Sequence, residues 1–443
     1  MSVRSHHTAV PTHEQSLVRI EDGWATEVVP QLPADLEIPA RALKAFVRVR
    51  GVAGVTDLLR ALLAFVLADH STRSLGAWAV ILKVADISEA AWRKRLRKRN
   101  AWLGWLLTAL LTARPASPPP TRRRVRLIDA TRLGQVGRGG DVWRVHWDYD
   151  LTAGCLSSVV ITDHHGGEHL ERFVLAPGDS IVADNGYGYR RSVAHAHAAQ
   201  ADVVLRSHPA TCPVEDADGH PFDVIAWLRQ PGSATREWEG WCRHQGHRYR
   251  VRLVAAPLPP DQAQKACQRK QRKARKRGRR PAATTRMLAG WLLVLTTLDS
   301  DAWPAAAVLR LYRARWQVEL VFKRLKQLLR VRLLRCKRMD VAEATVRALL
   351  IAWVLQENLA TELRTALSTA TQCPVSSWRI CQLSLETVRQ DVIGHWTRAR
   401  LRECLPRLHR FFCSSPRQRL AQETDMRAWL EERTQSVVRP LAA

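Results

Sequence analysis

Acidic residues are scarce in this 443-residue chain: 41 Asp and Glu stand against 69 Lys and Arg, a formal net charge of +28. So large an excess implies a polyanionic partner, most simply nucleic acid. An RNA-binding or ribosome-associated protein would share it, so charge alone does not choose between them. Cysteine pairs are missing too. The nine cysteines are an odd number with no Cys-x-x-Cys spacing, which argues against a disulfide framework and for free thiols in a reducing cytoplasm. His164, His165 and His169 cluster, as do His195 and His197, but neither group has a partner at zinc-site spacing, so both read as surface. The longest apolar runs, WLGWLLTALL and GWLLVLTTL, are too short to span a membrane. The opening MSVRSHHTAVPTHEQ lacks the apolar stretch of a secretory signal. No repeat of fixed period is present. What remains is a chain 46% hydrophobic, long enough for two to four domains and expected in the cytoplasm with no membrane attachment.

Residues 1–39 are polar and read as poorly ordered. Residues 40–113 read as a helical, DNA-binding domain. Within it, SLGAWAVILKVADISEAAWRKRLRK has the pattern helix, turn, helix, with Ser88 as a cap for the second helix. That helix carries Arg93, Lys94, Arg97 and Lys98, a cluster that fits DNA contact better than a solvated face. RPASPPPT, residues 114–121, is a linker. Three strand patterns follow, RRVRLIDATRL, VWRVHWDYDL and LSSVVITD, with the Gly-rich GQVGRGGD as a hairpin connection between the first two. A fourth strand, DSIVADNGYG, a helix, and a fifth strand, ADVVLRSH, complete the order of a ribonuclease H-like α/β domain. Its two parts are expected at 122–209 and 291–335. Residues 210–290 form a β-rich, basic insertion, with short strands expected at FDVIAWLR, REWEGWC and HRYRVRLVAA. Within it, ten Lys or Arg fall between Lys265 and Arg280; this run, with Lys265, Arg269, Lys270, Arg272, Lys273, Arg275 and Lys276, is read as a charged helix or arm laid on phosphate. Residues 336–443 are expected to be a helical C-terminal domain.

The chemistry is concentrated at three carboxylates. Asp129 lies near the end of a strand otherwise apolar and basic, and Asp184 ends the strand SIVADNGY. Carboxylates are poor strand formers and costly in a core. Glu319 belongs to DAWPAAAVLRLYRARWQVELVFKRLKQLL, where Tyr312, Arg315, Glu319 and Lys326 recur at spacings that keep them within roughly 60° of one face of a helix. Val308, Leu311, Val318, Phe322, Leu325 and Leu329 form an apolar stripe beside them. The four polar residues are thus expected on one helix at the edge of a buried face. Hard oxygen ligands of this kind suit Mg²⁺, with Mn²⁺ as a substitute, and two such ions can clamp the oxygens of a phosphoryl transfer. The 135 residues between Asp184 and Glu319 exceed a plain ribonuclease H-like domain by about the length of the insertion.

Together IDAT around Asp129, VADNGY around Asp184 and YRARWQVELVFKRLK around Glu319 make the chain resemble the DDE transposases of bacterial insertion sequences, of the insertion-sequence-four family. The last segment matches that family's Tyr-Arg-Glu-Lys signature at every position. Asn185 departs from it, since many members carry Arg there. The resemblance implies a metal-dependent enzyme that nicks double-stranded DNA at transposon ends and joins the freed 3′-hydroxyl to target DNA, working as a homodimer on the DNA. It implies that Asp129, Asp184 and Glu319 hold the metal and that Tyr312, Arg315 and Lys326 grip phosphates near the terminal nucleotide. Some relatives cut the second strand through a DNA hairpin, stacking a flipped base on a tryptophan; Trp291 stands in the matching place and reads equally as a core residue. A related nuclease that does not transpose, and a non-enzymatic DNA-binding regulator, are the competing readings.

Overall fold

The computed structural model describes residues 22–113, 123–135, 141–231, 235–276, 278–328, 333–334, 338–370 and 376–412. The expected linker at 114–121 and most of the hairpin loop at 136–140 lie outside the described residues, as do residues 413–443 of the expected C-terminal domain. In chain order the helices are α1 (Glu37–Ala42), α2 (Val55–Leu67), α3 (Thr72–Ile81), α4 (Glu89–Arg97), α5 (Asn100–Thr112), α6 (Arg190–Ala198), α7 (Val224–Arg229), α8 (Pro260–Arg275), α9 (Ala283–Ala289), α10 (Ala305–Ala314), α11 (Trp316–Leu328), α12 (Met339–Ala370), α13 (Ser377–Ile393) and α14 (Arg398–Phe412). The strands are β1 (Arg124–Gln135), β2 (Asp141–Asp150), β3 (Cys155–Asp163), β4 (Asp179–Ala183), β5 (Asp202–Arg206), β6 (Arg236–His244), β7 (His247–Pro257), β8 (Trp291–Thr296) and β9 (Leu333–Leu334).

Contacts divide the chain into two compact units: Met1–Leu32, Ala40–Leu96 and Arg389–Ala443 in one, Pro33–Pro39 and Arg97–Val388 in the other. These boundaries differ from those expected of the sequence, because each unit is closed by segments distant in the chain. In the first, α14 packs on α3, Arg60 donates to Asp22 and to the Val392 carbonyl, and the Trp78 indole donates to the Ile393 carbonyl. Residues 22–39, read from sequence as poorly ordered, contain short helical turns with Trp24 and Val28 buried. The α3–turn–α4 pattern is present, and the Ser88 hydroxyl caps α4 by accepting from the Ala91 amide at 3.2 Å. In the second unit α5 packs on α12, and Arg347 bonds the Asn100 carbonyl and side chain.

The second unit is built on one sheet, ordered β3-β2-β1-β4-β5-β8-β7-β6, with β9 pairing off β1. β1, β2 and β3 are an antiparallel meander, β4 and β5 run parallel to β1, and β8 and β6 run opposite to their neighbours. The insertion is therefore not a separate β module: β6 and β7 extend the same sheet, and the strand β8 that follows binds them to β5. FDVIAWLR, expected as a strand, is the helix α7 instead. Asp223 accepts from the Ile225 and Ala226 amides, a cap that starts a helix locally whatever the apolar pattern suggests. One face of the sheet buries Ile128, Ile181, Ala183, Val203, Leu205, Leu253 and Leu295 against Leu170, Phe173, Tyr187 and Val193.

Arg126 is buried near the start of β1. It donates to Asp148 of β2, to Asp179 of β4 and to the Val174 carbonyl. A buried guanidinium is tolerable only when paired and hydrogen-bonded throughout, and here two strands and the loop before β4 supply the partners.

Candidate active site

Asp129 lies in mid-strand, not near a strand end, because β1 runs on to Gln135 in its hairpin with β2. The register sets Ile128 beside Ala183, so Asp129 and Asp184 follow directly on adjacent parallel strands. Asp184 caps the short turn Asn185–Tyr187, its carboxylate accepting from the Asn185 amide at 2.5 Å. Glu319 arrives from α11, which packs against β1. The single helix expected for Tyr312, Arg315, Glu319 and Lys326 is broken at Arg315, between α10 and α11. The break turns the Arg315 guanidinium between carboxylates: it donates to Asp129 at 3.1 Å and to Glu319 at 2.7 Å. The Lys326 side chain lies outside the described residues.

The electrostatics are those of a site with too much negative charge. Burial pushes the Asp129 carboxyl up to about 7; Asp184 and Glu168 push the same way, against the Ala130 amide and Arg315. Burial alone would lower Arg315, yet Tyr312, Asp184, Glu319 and Asp129 together hold it above its ordinary value. Its Nε is buried with no hydrogen-bond partner. Tyr312 is buried, with Arg315 5.9 Å from its ring centre, and burial and Asp184 raise its hydroxyl. Arg315 thus sits between Asp129 and Glu319 in the field of Asp184, a donor set of hard oxygens; among the described residues these three carboxylates do not bring ligand atoms within 4.8 Å of one another.

Sequence reading missed the support beneath this cluster. His146 of β2 is fully buried, and burial, with Arg172 and Arg144, lowers it to about 3, leaving it neutral. It lies 3.0 Å from the Thr162 hydroxyl and 3.3 Å from the Tyr187 hydroxyl. Thr162 in turn donates to the Asp163 carbonyl. The string is consistent when His146 donates through Nε2 and accepts from Tyr187 through Nδ1, and it ties the Asp184 turn to β2 and β3. Only a histidine between the apolar Val145 and Trp147 of β2 could have signalled it.

Another acidic group is a turn and not the centre. Among the described residues, Asp216, Asp218 and His220 bring ligand atoms within 4.8 Å of one another. Asp216 spends its carboxylate on the Asp218 and His220 amides of a surface turn.

The other predicted residues are dispersed. Trp291 opens β8, half-buried against the core, with the Arg236 guanidinium 5.5 Å from its ring centre. Because β8 runs antiparallel to β5, its first residues fall at the sheet end where Asp129 and Asp184 lie. Lys265, Arg269, Lys270, Arg272, Lys273 and Arg275 are all exposed on α8, and Lys276 on its cap; Lys265 pairs with Asp261 at 3.7 Å. Proline at its first position, an acidic first turn, strong helix formers and a basic last turn explain why so charged a segment is helical. Burial, and after it the charge of Lys270, holds His208, just past β5, below its ordinary value. Arg93 is exposed and pairs with Glu89 at 3.4 Å, while Arg97 is exposed at the end of α4.

Residues 120–355 match the family model described as "Transposase DDE domain". Two proteins of Escherichia coli (strain K12), each called "Putative transposase InsL" and assigned to insertion sequence elements IS186A and IS186B, are 34% identical over 338 residues, 74% of this chain and 90% of theirs. "Transposase for insertion sequence element IS421" of Escherichia coli is 34% identical over 339 residues, 74% of this chain and 91% of its own. The chain belongs to the DDE transposases of insertion sequences. It is thus an enzyme acting on DNA, which sets aside the regulator reading, and the family carries dependence on a divalent metal. Among the described residues, no helix is long and apolar enough to cross a membrane.

Proposed function

We propose that Asp129, Asp184 and Glu319 are the catalytic carboxylates of a ribonuclease H-like domain and that they hold Mg²⁺, with Mn²⁺ able to replace it. One observation carries the reading: Asp129 of β1 and Glu319 of α11, remote in sequence, bind one guanidinium, and the strand register sets Asp184 at the end of β4 beside Asp129. The strand order β3-β2-β1-β4-β5 supports the domain assignment. Bound there, a divalent ion supplies charge that stabilises the attacking and leaving oxygens of a phosphoryl transfer.

The chain's own residues do the rest. Asp129 and Asp184 are fixed by backbone and by the Tyr187–His146–Thr162 string, so their geometry does not depend on the substrate. Glu319, half exposed, completes the set from the helix side. Arg315 exchanges carboxylates for a phosphate of the scissile strand, and Tyr312 and Lys326 contact the same backbone. The exposed cations of α8, with Arg93 and Arg97, hold the duplex without reading sequence. The protein acts as a homodimer on paired transposon ends, cutting and rejoining the element. The half-buried, Arg236-covered ring of Trp291 favours packing over base stacking, so a hairpin route does not rest on it.

The test is strand-resolved cleavage of duplex DNA carrying the terminal repeats that flank the gene. In Mg²⁺, Asp129→Asn, Asp184→Asn and Glu319→Gln each reduce nicking on the order of a thousandfold or more, since several kcal/mol of charge stabilisation is lost, while gel-shift affinity stays near wild type. A variant that nicks at the wild-type rate removes its residue from the set.

A further inference from the structure

Three glycines bring a further carboxylate onto the turn that Asp184 caps. The loop from β3 to β4 begins His164-His165-Gly166-Gly167-Glu168-His169. A Cβ on Gly166 would lie 2.1 Å from the Thr162 hydroxyl, and one on Gly167 2.4 Å from the His169 ring. A Cβ on Gly186 would lie 1.5 Å from a Glu168 carboxylate oxygen. At Gly166 a Cβ would run into the short Thr162 side chain, so the loop folds tightly onto β3, and at Gly186 the missing Cβ leaves the space in which the Glu168 carboxylate rests on the Asp184–Tyr187 turn. Arg144 holds the loop by donating to the Gly166 carbonyl at 2.9 Å, and Arg172 donates to the Gly167 carbonyl at 3.1 Å. The closest Arg144–Glu168 approach is long, 3.7 Å, so Glu168 is not consumed by a tight ion pair. Its charge reaches Asp129 and Tyr187.

We infer that Glu168 is a further carboxylate of the cation site, placed by the Gly166-Gly167 loop over Gly186 to hold the divalent ion beside Asp129 and Asp184. The inference rests on the reading of Asp129, Asp184 and Glu319 as metal ligands. A carboxylate retained only for loop structure would be expected to make a close salt bridge or cap an amide, and Glu168 touches the glycine two residues past Asp184 instead.

The experiment measures Mn²⁺ binding to the full chain without DNA, by the loss of the free-ion paramagnetic signal, alongside thermal melting. Glu168→Gln keeps the shape and removes the charge. Glu362→Gln, on the exposed face of α12, is the control. The expected result is Mn²⁺ affinity lowered about tenfold or more in Glu168→Gln, unchanged in Glu362→Gln and lost in Asp129→Asn, with melting of Glu168→Gln near wild type. Wild-type Mn²⁺ affinity in Glu168→Gln together with loss in Asp129→Asn overturns the role of Glu168 alone. Wild-type affinity in Asp129→Asn as well overturns the metal-site reading, and Glu168 falls with it. A Glu168→Gln chain that melts well below wild type yet binds Mn²⁺ normally also overturns the inference, since the residue is then structural.

Discussion

Strand β1 carries two groups of buried charge three residues apart, and they are built to opposite rules. At Arg126 one guanidinium meets Asp148 and Asp179, and the spare oxygens and nitrogens find further partners in Val174, Ala176 and Ser158. At Asp129 one guanidinium faces Asp129, Glu319 and Asp184, with Glu168 adding to the field, and one of its own nitrogens has no partner. The first group is saturated by the fold. The second is left with surplus negative charge that the fold does not neutralise. Saturation marks a group that holds strands together, and the surplus is what the proposed cation site would use. On α8 the imbalance is reversed, with exposed cations and a single acidic residue in the first turn.

Breaking the saturated group has the largest effect on the protein itself. Asp148→Ala leaves Arg126 buried against one carboxylate, and removing one partner of a buried pair costs about 3–5 kcal/mol. Chemical denaturation reads this as a lowered midpoint at unchanged slope. A midpoint equal to wild type shows that water or another group replaces Asp148 and that the group is not saturated. The exposed set on α8 shifts binding and not folding. Changing Arg269, Lys270, Arg272 and Lys273 to Gln weakens binding to every duplex alike and reduces the salt slope by about 0.9 for each phosphate no longer neutralised. An unaltered slope reassigns α8 to a solvated face.

The candidate carboxylates could be named from sequence because IDAT and VADNGY, each weak alone, occur together with the Tyr-Arg-Glu-Lys spacing. A carboxylate in IDAT, another in VADNGY and the Tyr-Arg-Glu-Lys spacing each conflict with plain strand or helix chemistry, and the conflict is local. The meander and the two parallel strands were likewise readable from alternation and turn residues. What stayed hidden depends on pairing across long separations. That β7 pairs with β8, and β8 with β5, is set by contacts across the insertion. The break at Arg315 reflects the carboxylates that the guanidinium reaches, not any helix-breaking residue. Glu168 and His146 act through a loop and a strand that only the fold brings beside Asp129. The helix at Val224–Arg229 was within reach, since Asp223 is an ordinary cap.

The surplus at Asp129 can be weighed directly by melting the full chain at pH 8, in chelator and in Mn²⁺, as wild type and as Asp129→Asn. The folded carboxyl titrates near 7 against an ordinary 3.8. Between those values the native state keeps a proton that the unfolded chain has released, so the group subtracts stability as pH rises through that window. In chelator, Asp129→Asn is therefore expected to melt above wild type at pH 8 and level with it below pH 4. Mn²⁺, binding the native state alone, raises the wild-type midpoint by mass action and leaves Asp129→Asn unmoved. If Asp129→Asn melts below wild type in chelator and gains as much from Mn²⁺, the carboxylates are a saturated structural group and the account is contradicted.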